Sequence, residues 1–135
     1  MTTTAAAAGT CRHTGTYPAE PRQVGLARAA LAGWLGGCPQ ADEAILIASE
    51  FATNSVLVHS SSRCGGAFTL RVEVCEDRLR IEVEDAGGPW LVGPRDDSRP
   101  HGFDVVDAIA GPGNWGVVGD VGGRTAWARL GGLGR

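Results

Sequence analysis

Glu50 and Asn54 stand in a largely apolar stretch that also holds Ile45, Leu46, Ile47, Phe51, Val56, Leu57 and Val58. Four positions apart, the two polar groups share one face of a helix. A carboxylate and an amide on such a helix are costly unless they meet a ligand, a metal ion or a partner; the alternative is an ordinary hydrated helix surface. A second candidate lies in Val83-Glu84-Asp85-Ala86-Gly87-Gly88-Pro89. Asp85 closes an alternating segment, where its carboxylate can accept from a ligand N–H while the glycines let the chain turn away closely. The alternative is a turn begun by an Asp. A third segment, Gly123-Arg124-Thr125-Ala126-Trp127-Ala128-Arg129-Leu130, places Thr125 at the opening of a strand-like run, which by itself is ordinary β propensity.

The elements that must position these groups follow from periodicity. Val24, Ala27, Leu31, Trp34 and Leu35 recur at helical spacing after Pro21, and Gly36-Gly37 stops that helix. A second helix is expected from about Pro39 to His59, with Asp42 and Glu43 in its first turn. Phe68, Leu70, Val72 and Val74, then Leu79, Ile81 and Val83, alternate with polar residues around Glu76-Asp77-Arg78. That pattern predicts an antiparallel hairpin with one buried face. Residues 86–102 form a long loop, Phe103 to Ala110 a short helix, and Trp115 to Val118 and Thr125 to Leu130 two further strands. The expected class is α+β: a two-layer α/β sandwich with helices packed on one face of a mostly antiparallel sheet. Residues 1–13 are expected as a flexible tail and 14–132 as one domain.

Composition narrows the chemistry. The 135 residues carry 12 basic and 15 acidic side chains, a formal net charge of −3, and every basic residue is Arg. Schiff-base chemistry, lysine nucleophiles and the Walker-loop lysine are thereby excluded. The slight acidity argues against nucleic acid and anionic lipid as direct partners. No apolar run has membrane-spanning length, and residues 1–10 lack the features of a secretory signal. Cys11, Cys38, Cys64 and Cys75 contain no C-x-x-C, so neither a zinc site nor a disulfide framework is expected, and a reduced, cytoplasmic setting is the default. Trp34, Trp115 and Trp127 are expected in the core and Trp90 in a packing or partner contact. Cys38, Cys64 and Cys75 are expected as small apolar groups, and His13 suggests no role.

Taken in order, four segments resemble the ATP-binding domain of the gyrase, chaperone, histidine kinase and mismatch-repair superfamily. More narrowly, the chain is similar to the small histidine kinase-like proteins related to anti-sigma-factor serine kinases. The segments are Ser49-Glu50-Phe51-Ala52-Thr53-Asn54-Ser55-Val56, Val83 to Gly88, His101-Gly102-Phe103-Asp104-Val105-Val106-Asp107-Ala108, and Gly123 to Trp127. The resemblance implies ATP between helices and sheet, under a lid at about 89–102. It implies Mg²⁺ at Asn54 and, at Glu50, the acid that orients or deprotonates an attacking hydroxyl. It implies that Asp85 accepts the adenine amino group, that Gly87 lets the backbone pass the base, and that Thr125 supports Asp85. His101 and Gly102 would lie at the phosphates, where a helix N-terminus favours anions, with Arg95, Arg99 and His101 as cationic help.

The chain departs from the pattern at Pro89, Pro100 and Asp104, and Val58 stands where a basic residue is usual. Pro100 removes one N–H donor, and Asp104 adds negative charge near the phosphates. Two functions remain in view. One is an ATP-dependent serine/threonine kinase that phosphorylates an anti-anti-sigma protein and binds a sigma factor, with a homodimer as in related proteins. The other is an inactive or weak nucleotide-binding module acting by protein contact. Histidine-kinase chemistry is disfavoured, because the chain has no room for the helical domain bearing a phospho-accepting His.

Overall fold

Period-two runs of apolar residues build the centre of the sheet. The computed structural model describes residues 10–56, 66–76, 78–85, 102–120 and 123–131. Strands β2 (Ala67–Cys75) and β3 (Arg78–Asp85) form the expected hairpin, registered from Phe68 opposite Asp85 to Cys75 opposite Arg78. Glu76 makes the turn in the left-handed region, at φ 54°, where a side chain is disfavoured outside such turns. Strands β4 (Trp115–Asp120) and β5 (Gly123–Gly131) form a second antiparallel pair, and β5 inserts beside β3. Gly119 takes φ +115° opposite Arg124, and a Cβ there would press on the Gly123 carbonyl.

One strand is absent from the periodicity reading. β1 (Thr10–Pro18) pairs antiparallel with β2 along its whole length and, among the described residues, completes a five-stranded sheet of order β1-β2-β3-β5-β4. It therefore begins within the stretch expected as tail. Its sequence, Thr-Cys-Arg-His-Thr-Gly-Thr-Tyr-Pro, holds few apolar residues because an edge strand covers little of the core. Among its inward residues, His13 stacks on Trp34 at 5.2 Å and Tyr17 on Phe68 at 5.5 Å.

Among the described residues, three helices cover one face of the sheet. α1 (Pro21–Trp34) begins with Pro at its first turn, and α2 (Ala41–Asn54) carries Asp42 and Glu43 at its own start. α3 (Gly102–Ala110) follows the long segment at 86–101. α2 begins at Ala41, two residues after the expected start, and residues 57–59 of the predicted helix lie outside the described residues. Leu31, Leu35, Ile47, Phe51, Phe68, Leu70, Ile81, Val83 and Val106 are fully buried between the two layers. Side chains of this kind each contribute about 1.5–3 kcal/mol through burial.

Among the described residues, the other face of the sheet is open and held by ion pairs. Arg71 bridges Glu82 and Glu84 at 3.1 and 2.9 Å, Arg80 meets Glu82 at 2.9 Å, and Arg12 meets Glu73 at 3.0 Å. Trp127, expected in the core, lies on this face instead. Arg80 and Arg129 stack on its indole, 4.7 and 5.4 Å from the ring centroid, and the indole nearly touches Gly116 across the ladder. Trp127 is odd-numbered on β5, whereas Ala128 and Leu130 supply the buried face. Trp34 and Trp115 are half-buried at the margin of the core.

Candidate functional site

The sides of α2 are distinguished by what they pack on. Ser49, Thr53 and Val56 line a groove with Pro21, Val24, Gly25 and Arg28 of α1. Glu43, Ile47, Glu50 and Asn54 form an i, i+4, i+7, i+11 row on another side. Glu43 lines a cavity together with Ile109 and Ala110 of α3, so this row lies along α3. Glu50 and Asn54 are both half-buried there, about 40° apart around the helix axis.

α3 runs antiparallel to α2. Phe103, its second residue, meets Phe51 edge to face at 5.8 Å, while its last residues, Ile109 and Ala110, lie near Glu43 at the start of α2. Phe103 also packs on Trp115 at 5.4 Å, and the Trp115 indole N–H donates to Asp107 at 2.7 Å. These three contacts tie α3 to both α2 and β4. The consequence is positional: the N-terminus of α3, at Gly102, lies at the end of α2 that carries Glu50 and Asn54. Unpaired N–H groups and the positive end of the helix dipole favour an anion at such a terminus. Asp104, in the first turn and exposed, opposes that preference.

Asp85 belongs to the same end of the molecule. The cavity at the start of α2 is lined by Cys75, Arg78, Leu79 and Gly131, which form the opposite end of the strands. β3 runs from there to Asp85, as α2 runs from Glu43 to Asn54. Asp85 is only 7% exposed and alternates with the buried Val83 and Ile81, so its carboxylate lies on the helix-covered face. A buried carboxylate at the end of a central strand, at the end of the layer marked by Glu50, Asn54 and the α3 N-terminus, can fix an N–H group of a bound molecule.

Thr125 lies on the other face. It is opposite Glu84 in the β3–β5 ladder, and directly opposed residues share a face. Arg124 is the residue opposite Asp85. It is 8% exposed, on the covered face with Ala128 and Leu130. The expected support of Asp85 by Thr125 is therefore corrected: period two sends the side chain of residue 125 to the open side. The signal was available in Ala126, Ala128 and Leu130, whose apolar phase includes residue 124 and omits residue 125. Gly87, His101, Arg95, Arg99, Pro89, Pro100 and most of the segment at 89–102 lie outside the described residues.

The donor set fits a nucleotide better than a free metal ion. Among the described residues, no group of three or more His, Cys, Asp or Glu side chains could hold a metal ion. Glu50 and Asn54 supply one carboxylate and one amide oxygen. That suits Mg²⁺ only when phosphate oxygens and water complete its shell. Elsewhere, the depression on the open face is lined by Arg12, Arg71, Glu73, Arg80 and Glu82, whose charges are already paired with one another. Burial works against both Arg71 and Glu82, but hydrogen bonds and charge outweigh it. Arg71 is raised above its ordinary value by Glu84 and Glu82, and Glu82 is held below the usual carboxylate range by Arg80 and Arg71. None of the described helices is long and apolar enough to cross a membrane.

Comparison with known proteins agrees with the fold. The chain is similar to a crystal structure of the RsbU and RsbW domains of Rv1364c from Mycobacterium tuberculosis, with a TM-score of 0.67 at 20% sequence identity. The match covers 88% of this chain and 31% of that one; it carries the fold, and the chain spans about a third of the length of that relative. No curated protein matches the chain. A family model for the histidine kinase-like ATPase domain matches residues 17–118, more than half of the chain. On that match, the chain belongs to the histidine kinase-like ATPase domain family.

Proposed function

We propose that this domain binds ATP with Mg²⁺ and acts as an anti-sigma-type serine/threonine kinase in the cytoplasm. In this reading it phosphorylates a Ser of an anti-anti-sigma protein and, in another state, binds a sigma factor. The observation that carries the reading is the convergence of Glu50, Asn54 and the α3 N-terminus at the end of the molecule where Asp85 closes β3. The matched domain family supports the nucleotide, and the RsbW domain of the similar structure supports the choice of pathway.

The roles follow from the chemistry of the side chains. Asp85 accepts an N–H of the base. The Asn54 amide oxygen would hold Mg²⁺, which would supply neutralisation of phosphate charge. The Glu50 carboxylate orients the incoming Ser hydroxyl and takes its proton as the new bond from the Ser oxygen to the γ-phosphorus forms and the bond from that phosphorus to the bridging oxygen breaks, with ADP as the leaving group. Gly87, His101 and Gly102 complete the base and phosphate ends in this reading.

The test is transfer of labelled phosphate from ATP to the candidate antagonist. Transfer is expected to fall by about 10²–10⁴-fold in Glu50→Ala while ATP binding persists. Unchanged transfer in that variant overturns the catalytic reading. Asp104 favours a second reading, because its exposed carboxylate at the α3 N-terminus weakens a phosphate site. There the domain acts through protein contact without transfer. Titration calorimetry with ATP and Mg²⁺ separates the two: partner binding indifferent to nucleotide supports the second.

A further inference from the structure

The groove between the first two helices is used by none of the roles above. The first half of α1 lines it, together with Ser49 and Thr53 of α2 and with Val56 just beyond that helix. Its volume is about 440 Å³, far more than one small anion fills. Val24 and Val56 are buried beneath it, Ser49 and Thr53 are half-buried along one side, and Arg22 and Arg28 stand exposed on the other. Gly25 keeps the α1 side open, because a Cβ there would meet nothing within 4 Å.

The polar groups of this groove are unengaged. Among the described residues, neither Arg22 nor Arg28 has an ion pair or a ring partner, and neither the Ser49 nor the Thr53 hydroxyl makes a hydrogen bond. The open face of the sheet differs, since Arg12, Arg71 and Arg80 are each paired there with a Glu. No acidic side chain is among the described residues that line the groove. Two unmatched cations in a chain of net charge −3 make a local positive potential that selects a negative partner. Leu46 precedes Ser49 and Thr53 by three and seven residues, so it shares their face of α2, and it is 44% exposed. The row therefore offers apolar contact as well as hydroxyls. Arg22 and Arg28 are six residues apart, about 9 Å along α1, a span that three residues of extended chain cover. That span suits two carboxylates on a peptide better than a single small anion.

We propose that the α1–α2 groove docks an extended, acidic, leucine-containing segment of a protein partner. Arg22 and Arg28 pair with its carboxylates, Ser49 and Thr53 hydrogen-bond its backbone, and an apolar side chain of the segment packs over Leu46. This goes beyond the ATP-binding reading and does not rest on it. Ser49 and Thr53 each precede Glu50 and Asn54 by one residue, about 100° around the helix. A docked segment thus lies beside the turns of α2 that carry those two groups.

The probe is the fluorescein-labelled peptide Glu-Leu-Asp-Glu-Leu-Asp, titrated beside its neutral counterpart Gln-Leu-Asn-Gln-Leu-Asn. Fluorescence anisotropy at low salt is expected to show at least about tenfold tighter binding of the acidic peptide, with the difference shrinking as salt is added. In isotope-labelled protein, the amide signals that move on binding cluster around Gly25, Ser49 and Thr53. The double variant Arg22→Glu, Arg28→Glu is expected to lose at least about tenfold in affinity for the acidic peptide. Gly25→Phe, which fills the groove without a change of charge, blocks binding as well. Both substitutions are at exposed helix positions, and thermal melting checks that each variant is folded. Equal binding of the two peptides by wild type overturns the proposal, as does no binding of either. So do amide shifts confined to another face, or binding that survives in the folded variants. Conversion of a dimer to a monomer by the double variant, read by sedimentation, also overturns it, because the groove then belongs to a second copy of the chain. Titration of wild type with ATP is a separate readout, and its failure removes only the ATP-binding reading.

Discussion

Phe51 of α2 and Phe103 of α3 meet edge to face, with ring centroids 5.8 Å apart. This contact places the start of α3 beside Phe51, which precedes Asn54 by about one turn of α2. Phe103→Ala removes this contact and the one with Trp115. It is expected to cost about 2 kcal/mol, less than for a fully buried Phe, and to weaken ATP binding as well. Urea unfolding and titration calorimetry measure the two effects. Val105→Ala, at an exposed position of the same helix, serves as the control, within about 0.5 kcal/mol of wild type.

Asp85 and Thr125 should respond oppositely to substitution. Asp85→Asn keeps the shape of the side chain but turns one acceptor into a donor. A loss of about ten- to hundredfold in ATP affinity is expected, as for a charge-assisted hydrogen bond. Thr125→Ala acts on the open face, beside Glu84, and should leave ATP affinity within about twofold of wild type, with a stability cost under about 1 kcal/mol. A large affinity loss in Thr125→Ala would contradict the strand register.

The open face predicts a particular acid limb of stability. The Glu82 carboxyl is held below its ordinary value in the folded protein by Arg80 and Arg71, against the effect of burial. A depressed folded-state value means the folded protein binds this proton less readily than the unfolded chain. Its stabilisation is therefore present above the unfolded Glu value, about 4.3, and is lost as pH falls through the lower folded value. Glu82→Gln should flatten the dependence of melting temperature on pH below about 5 and change it little near 7.

Gly119 tests the turn that brings Arg124 into place. At φ +115° and against the Gly123 carbonyl, a methyl group has neither the backbone conformation nor the room it needs. Gly119→Ala is expected to destabilise by about 1–3 kcal/mol, with a melting temperature several degrees lower. Gly25→Ala, whose Cβ meets nothing within 4 Å in α1, should be neutral or stabilise by up to about 1 kcal/mol.

The local repeats of the chain were sufficient for most of its elements. Period three-to-four from Val24 to Leu35 and period two from Phe68 to Val83 specify α1, β2 and β3, because each pattern buries one face only when the backbone has the matching geometry. The order of Glu50, Asn54, Asp85 and the following glycines was enough to identify the domain family. β1 was not legible, because an edge strand leaves little apolar signature. Trp127 was assigned to the wrong face, because composition says that an indole is large and apolar but not which side of a strand it occupies. Only tertiary structure decided which residue stands across from Asp85. Sequence order places Arg124 and Thr125 side by side; the pairing of β3 with β5 sends them to opposite faces, since register is set by contacts between segments far apart in the chain.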